Sequence, residues 1–183
     1  LKLKAMRPMV VIDPVKVVIT NYPEGQTELV TVENNPENEE LGNREVVFGR
    51  EIYIERNDFM EEPVKKFFRL APGKEVRLKG AYFITCTDVI KDENGNITEI
   101  HCTYDPETKS GSGCTRKVKG TLHWVEASTA VDIESRLYDY LLKEDSDGKD
   151  FLGDFNHDSL QVFHSKGEAC LANTVPGDHF QFL

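Results

Sequence analysis

The chain has 183 residues, is 39% hydrophobic and 30% charged, and carries a formal net charge of −10. That is enough apolar material for one large or two small globular domains, and an acidic chain of this kind repels polyanions in general. No apolar run approaches the ~18 residues of a membrane span, and the apolar patch after LKLKAMRP is broken by Asp13 and Pro14, so this stretch is not expected to be a signal peptide.

There is no initiating Met, and both ends are expected to be cuts through a longer protein. Residues 10–12 and 15–19 are dense in Val and Ile and predict two strands broken at Asp13-Pro14. The run YPEG at 22–25 is a turn, and 26–33 is a third strand. NNPENEELGN, 34–43, is a polar loop with Pro36 and Gly42 as breakers. Residues 45–48 and Glu51–Glu55 are short strands, the second with strict alternation in REIYIER. Asn57-Asp58 is expected to cap a short helical turn over 59–62.

Residues 74–89 read as one or two strands with Gly80 as a bend. DENGN at 92–96 predicts a hairpin turn, because Asn-Gly supports positive φ. Residues 97–104 return as the partner strand, and DPETKSGSGC is a loop. TRKVKGTLHWV, 115–125, predicts one strand with bases at its entrance. VDIESRLYDYLL, 131–142, fits both a helix and a strand edge. An acidic loop spans 144–150, short helical pieces are expected at 151–155 and 156–160, and strands at 160–163 and 180–182, in an alternating run that ends at Leu183. Short strands punctuated by Pro, Gly and Asn predict an all-β fold, closed as a sandwich or barrel.

The chain lacks G-x-S-x-G, GxxxxGK[ST], G-x-G-x-x-G and HExxH, and its five histidines have no pair at metal-ligand spacing. Cys86, Cys102, Cys114 and Cys170 form no CxxC pair and read as reduced thiols of a cytosolic protein. No catalytic or metal-binding set is therefore expected. A binding module for an anionic ligand is the better reading. Its centre is the stretch 59–84, FMEEPVKKFFRLAPGKEVRLKGAYFI. Over 64–80 it holds Lys65, Lys66, Arg69, Lys74, Arg77 and Lys79 against the single acid Glu75. In KEVRLKG, Glu75, Arg77 and Lys79 share one strand face while Val76 and Leu78 take the other. Arginines held at fixed spacing can meet phosphates or base edges with their planar forks. Phe67 and Phe68 offer a stacking surface, with at least one of them expected in the core.

VVIDPVKVVITNYPEG, FGREIYIERNDFMEEPVKKFFRLAPGKEVRLKGAYFI, DENGNITEIHCTYDPET, RKVKGTLHWVEAS, RLYDYLL and FQF, taken in order, closely resemble the carboxy-terminal region of glutaminyl-tRNA synthetases over essentially the whole chain. The resemblance implies two β-barrels related to ribosomal protein L25, with a few short helices, that grip a tRNA anticodon loop. One barrel is expected at about 23–116, and a second is expected to join 1–22 to 117–183. The resemblance further implies that Arg7 and Gln181 read the middle anticodon base and Arg69 the third, and that Arg77 and Lys79 lie near the first. Lys65, Lys66 and Lys74 are then phosphate contacts. Lys79 stands where the family often has Arg, and a lysine has no fork. The implied partners are tRNA(Gln) and an amino-terminal catalytic domain that uses ATP with Mg, within a monomeric cytoplasmic ligase. No cofactor is expected in this stretch. Two alternatives stay open: the same region of an archaeal/eukaryotic-type glutamyl-tRNA synthetase, and a stand-alone L25-like ribosomal RNA binder.

Overall fold

A computed structural model describes residues 2–145 and 149–182. Twelve strands occur among them: β1 Val10–Val11, β2 Pro14–Ile19, β3 Thr27–Glu33, β4 Asn43–Gly49, β5 Glu51–Glu55, β6 Glu75–Leu78, β7 Phe83–Lys91, β8 Ile97–Asp105, β9 Thr121–Leu122, β10 Val125–Glu126, β11 Val131–Tyr138 and β12 Leu160–Gly167. They form a seven-stranded sheet of order β10-β5-β2-β8-β7-β6-β9, a three-stranded sheet β1-β12-β11, and a two-stranded sheet β3-β4. Most pairings are antiparallel, but β2 runs parallel to β8 and β6 parallel to β9.

The large sheet cannot be flat. Its two edge strands, β9 and β10, are separated in the chain only by His123 and Trp124. Six gaps of ~4.8 Å would hold flat edges ~29 Å apart, whereas three residue steps reach at most ~11 Å. The sheet curls until its edges approach, which gives the all-β, barrel-like architecture expected from the sequence. Inside the curl lies one continuous core, and the β3–β4 hairpin adds Val30, Val32 and Phe48 to it. Phe48 packs edge-on to Tyr22 and to Trp124, each at 5.3 Å between ring centres. Gly80 is the close approach between this hairpin and the β6–β7 turn. It has φ +72°, and a Cβ there would sit 2.8 Å from Val32 Cγ2 and 2.9 Å from the Thr31 carbonyl oxygen.

Most local expectations match. The 26–33, 51–55 and 97–104 strands are present as β3, β5 and β8. The 92–96 turn is held by Asp92, whose carboxylate accepts from the Asn94 and Asn96 amides. The ambiguous 131–142 run is strand over Val131–Tyr138, because its eight residues pair one-for-one with β12. Four expectations are corrected. The single strand over 115–125 is two short ones, because β9 pairs with β6 and β10 with β5 on opposite edges, and the turn between them buries Trp124. The helical turn lies at Arg56–Asp58 rather than 59–62, because Phe59 is buried and bridges Leu70. Residues 156–160 are a turn leading into β12, not a helical piece. The run 180–182 is irregular backbone, with the Gln181 amide donating to the Met6 carbonyl. Residues 146–148 of the acidic loop, and Leu183, lie outside the described residues. A 3-10 helix at Ala169–Asn173 carries no signal that periodicity detects.

The amino-terminal stretch divides between sheets. β1 joins β12, while β2 lies in the middle of the large sheet between β5 and β8. The intervening Ile12 and Asp13 amides donate to the two oxygens of Glu55, at 2.9 and 2.7 Å. One carboxylate thus satisfies both donors that leave the ladder.

Candidate nucleic-acid interface

The basic island is a loop followed by a strand. In β6, Val76 and Leu78 are buried while Glu75 and Arg77 are half-buried, as the alternation predicts. The loop before it lies close over the chain at 118–120, and a Cβ on Gly120 would overlap the Phe68 carbonyl oxygen. Between loop and chain is a cleft of about 500 Å³, whose lining includes Lys66, Phe68, Arg69, Lys74 and Lys119. Phe67 is half-buried and Phe68 exposed, so neither joins the core as the sequence suggested, because both lie on the loop over the cleft; the Lys119 ammonium stands 4.8 Å above the Phe68 ring. An exposed aromatic among cations is suited to stacking a base beside its phosphate. Lys65, Lys66 and Lys74 are all exposed. Lys119 was visible in sequence only as one of the bases at the entrance of the 115–125 run.

Arg69 borders this cleft and also a smaller one of about 190 Å³ that includes Asp58, Thr121 and His123. Its side chain is 54% exposed and makes an ion pair with the buried carboxylate of Asp58. One end of the guanidinium is anchored while the residue stays accessible, which fixes its direction at little entropic cost.

Arg77 is differently placed. Its Nη1 donates to Ser110 Oγ at 2.9 Å and to the Ala81 and Thr108 carbonyls at 3.3 Å each. Its guanidinium lies 4.3 Å from the centre of the Phe83 ring. It braces the loop after β8 and does not border the cleft of Arg69.

Lys79 is half-buried among the charges of Arg44, Glu33, Glu168 and Arg7. Burial first, and then Arg44, pull its ammonium below the ordinary lysine value, and Arg7 adds to that while the two carboxylates oppose it.

Arg7 is 3% exposed. Its Nη2 donates to the Lys2 carbonyl at 2.8 Å and to Glu37 Oε1 at 3.1 Å. Arg7 beside Glu37 is the main reason that this carboxyl is held below its usual range. The Nε of Arg7 is buried and has no hydrogen-bond partner among the described residues. Gln181 reaches the same place from the other end of the chain, through the 3.2 Å hydrogen bond from its amide to the carbonyl of Met6. Its Oε1 is likewise buried and unpaired among the described residues. Leaving a buried polar atom unmade costs ~1–3 kcal/mol. One donor and one acceptor are thus left open in segments that a backbone hydrogen bond joins.

The structure thus joins the segments of Arg7 and Gln181 through the Met6 carbonyl, groups Arg69 with Lys66 and Lys74 around the larger cleft, and sets Arg77 apart. Among the described residues, no group of three or more His, Cys, Asp or Glu is arranged to hold a metal ion.

Residues 5–105 and 121–183 match two family models, each described as "tRNA synthetases class I (E and Q), anti-codon binding domain". The chain is 56% identical over 183 residues to a glutamine–tRNA ligase of Clostridium perfringens, covering 98% of this chain and 33% of that protein. It is 55% identical to one of Clostridioides difficile, over 98% of this chain and 33% of the relative. A glutamine–tRNA ligase of Rhodopirellula baltica is 49% identical, over 97% and 31% respectively. The chain spans about a third of the length of these relatives.

Proposed function

Because this chain belongs to the anticodon-binding family of class I tRNA synthetases for glutamate and glutamine, we propose that it reads the anticodon loop of tRNA(Gln) as part of a glutamine–tRNA ligase. The observation that supports the proposal is that Arg7 Nε and Gln181 Oε1 are both buried and both unpaired among the described residues, in segments joined by the hydrogen bond from the Gln181 amide to the Met6 carbonyl. A donor beside an acceptor matches the O4 and N3–H edge of uracil. Cytosine would set its unprotonated N3 against the Gln181 oxygen, so the same edge rejects it. Reading of this kind needs a base splayed from a loop rather than stacked in a duplex.

Arg69, on the rim of the second cleft, is assigned to the third base, with Phe68 available to stack a neighbour. Lys65, Lys66 and Lys74 supply phosphate contacts. Lys79 adds positive charge near the first base, and an RNA phosphate nearby would raise its lowered pKa. Arg77 shapes the first-base region through the loop it braces. The two-barrel organisation belongs to the same proposal. Pairing of β1 with β12 supports joining the ends of the chain in one unit, and the pairings of β2, β9 and β10 draw those strands into the other. In the whole ligase, a catalytic domain using ATP with Mg would attach glutamine, in the cytoplasm and as a monomer.

The test is filter binding and aminoacylation by the full-length protein, with tRNA(Gln) transcripts carrying U or C at the middle anticodon position. A preference of about fivefold or more for U is expected, the lower end of what one two-bond base contact supplies. Equal binding and equal charging of both transcripts at low salt would refute the proposal. Charging of glutamate rather than glutamine would transfer it to the glutamyl branch of the family.

A further inference from the structure

The edge formed by Arg7 and Gln181 is useful only if the short segment bearing Arg7 is held still. Its backbone is gripped from several directions. The Arg7 amide donates to the Asn34 carbonyl at 2.8 Å, and the Met6 carbonyl accepts from Gln181. Asn35 Nδ2 donates to the Ala5 carbonyl at 3.0 Å and the Glu168 amide to the Met9 carbonyl at 3.1 Å. Two further grips come from the side chains of one ion pair. Arg44, at the start of β4, donates from Nη2 to the Arg7 carbonyl at 3.2 Å. Glu168, directly after β12, accepts the Met9 amide at 2.7 Å.

Arg44 and Glu168 are themselves locked together in a fork. Arg44 Nε donates to one oxygen of Glu168 at 2.7 Å and Nη2 to the other at 2.6 Å. Arg44 Nη1 donates to the Glu33 carbonyl at 2.8 Å, so the guanidinium is also tied to the end of β3. The two side chains are 10% and 3% exposed, 124 residues apart in sequence. A buried ion pair is a poor source of net stability, since desolvation offsets most of the attraction. Its planar two-bond geometry, however, fixes angles that an apolar contact would leave loose.

We propose that the Arg44–Glu168 pair is a positioning element for middle-base recognition. It holds the Arg7 carbonyl and the Met9 amide, which flank Pro8, and so fixes the backbone that sets where Arg7 Nε points relative to Gln181 Oε1. This rests on the anticodon reading above. Neither residue touches the base. Each acts through the backbone immediately after the side chain that does.

The experiment uses the full-length protein with Glu168→Gln and, separately, Arg44→Lys, which keeps the charge but removes the fork. For each, kcat/KM is measured on cognate tRNA, on a transcript changed at the middle base and on one changed at the third, with thermal melting as the check on folding. Discrimination at the middle base should fall about tenfold, within what a two-bond base contact supplies, while discrimination at the third base is unchanged. Adding Arg7→Ala to either variant should cost no more middle-base discrimination than Arg7→Ala alone, because both act through the same contact. Undiminished middle-base discrimination, an equal loss at both positions, or full additivity with Arg7→Ala would overturn the positioning role. If Glu168→Gln fails to fold, Arg44→Lys carries the same three comparisons. A lack of middle-base discrimination in the unsubstituted protein would instead overturn the anticodon reading, and this proposal with it.

Discussion

Gln181→Met should change stability and recognition in opposite directions. Gln181 Oε1 is buried without a partner among the described residues, and so is Arg7 Nε. An unmade buried hydrogen bond costs ~1–3 kcal/mol. Methionine has nearly the length of glutamine, is flexible enough to fill the same space, and has no oxygen to desolvate. The RNA-free protein should therefore gain about 1 kcal/mol, the lower end of that penalty, because Arg7 Nε stays unpaired. For a domain of 150–250 residues this corresponds to a rise in Tm of about 2–4 °C. Binding of tRNA with the cognate middle base should weaken by about 1–3 kcal/mol, the worth of a two-bond base contact, while binding of the C-substituted transcript changes little. Thermal melting followed by circular dichroism and filter binding at fixed salt give the two numbers. A variant that melts lower would show that the oxygen supports the fold. A variant that melts higher yet discriminates as before would show that the oxygen never meets the base. Either result refutes the reasoning.

Three further outcomes are expected. Replacing Lys65, Lys66 or Lys74 singly with Ala should weaken binding of all tRNAs alike and reduce the slope of log K against log salt by about 0.7–1 per lost phosphate contact; a change that depends on an anticodon base would remove that lysine from the phosphate set. Arg69→Ala should cost about 1–3 kcal/mol of tRNA binding and relax selectivity at one base. It also strips the buried Asp58 of its partner, so the Arg69→Ala, Asp58→Asn double variant should recover stability but not selectivity, as paired melting and filter binding would show. Glu28 accepts from the Tyr22 and Tyr82 hydroxyls and from Lys109. Burial pushes its carboxyl up, but the hydrogen bonds from Lys109 and Tyr82 prevail and hold it below its ordinary 4.5. A depressed folded-state pKa gives stability that is full above the unfolded value and lost as pH falls through the folded one. Melting of the native chain should thus decline more steeply below pH 4.5 than melting of Glu28→Gln, and parallel curves would rule out this linkage.

Much of this architecture is local, and local chemistry is legible. Alternation in REIYIER and KEVRLKG predicts which residues of β5 and β6 turn inward, because strand side chains alternate whatever the partner strand. Asp92 to Asn96 predict their own turn, because Asn-Gly tolerates positive φ. The charge of the basic island is likewise a property of the sequence itself. The long motifs carried the family and, through it, the assignment of Arg7 and Gln181 to one base.

What the sequence did not contain is the choice of neighbours. Alternation placed Arg77 and Lys79 on one face, but only the fold put Arg77 against Phe83 and Ser110. Residues 115–125 look like one strand, yet they divide because the curled sheet needs an edge strand on each side of Trp124. Residues 180–182 alternate like a strand, yet here their hydrogen bond runs to Met6 rather than into a ladder. Arg44 and Glu168 have no sequence signal at all, since their meaning lies in a contact across 124 residues. Side-chain period and turn chemistry act over a few residues and are written in order along the chain. Pairing, closure and the burial of a charge depend on which distant segments meet, and the tertiary structure alone decides that.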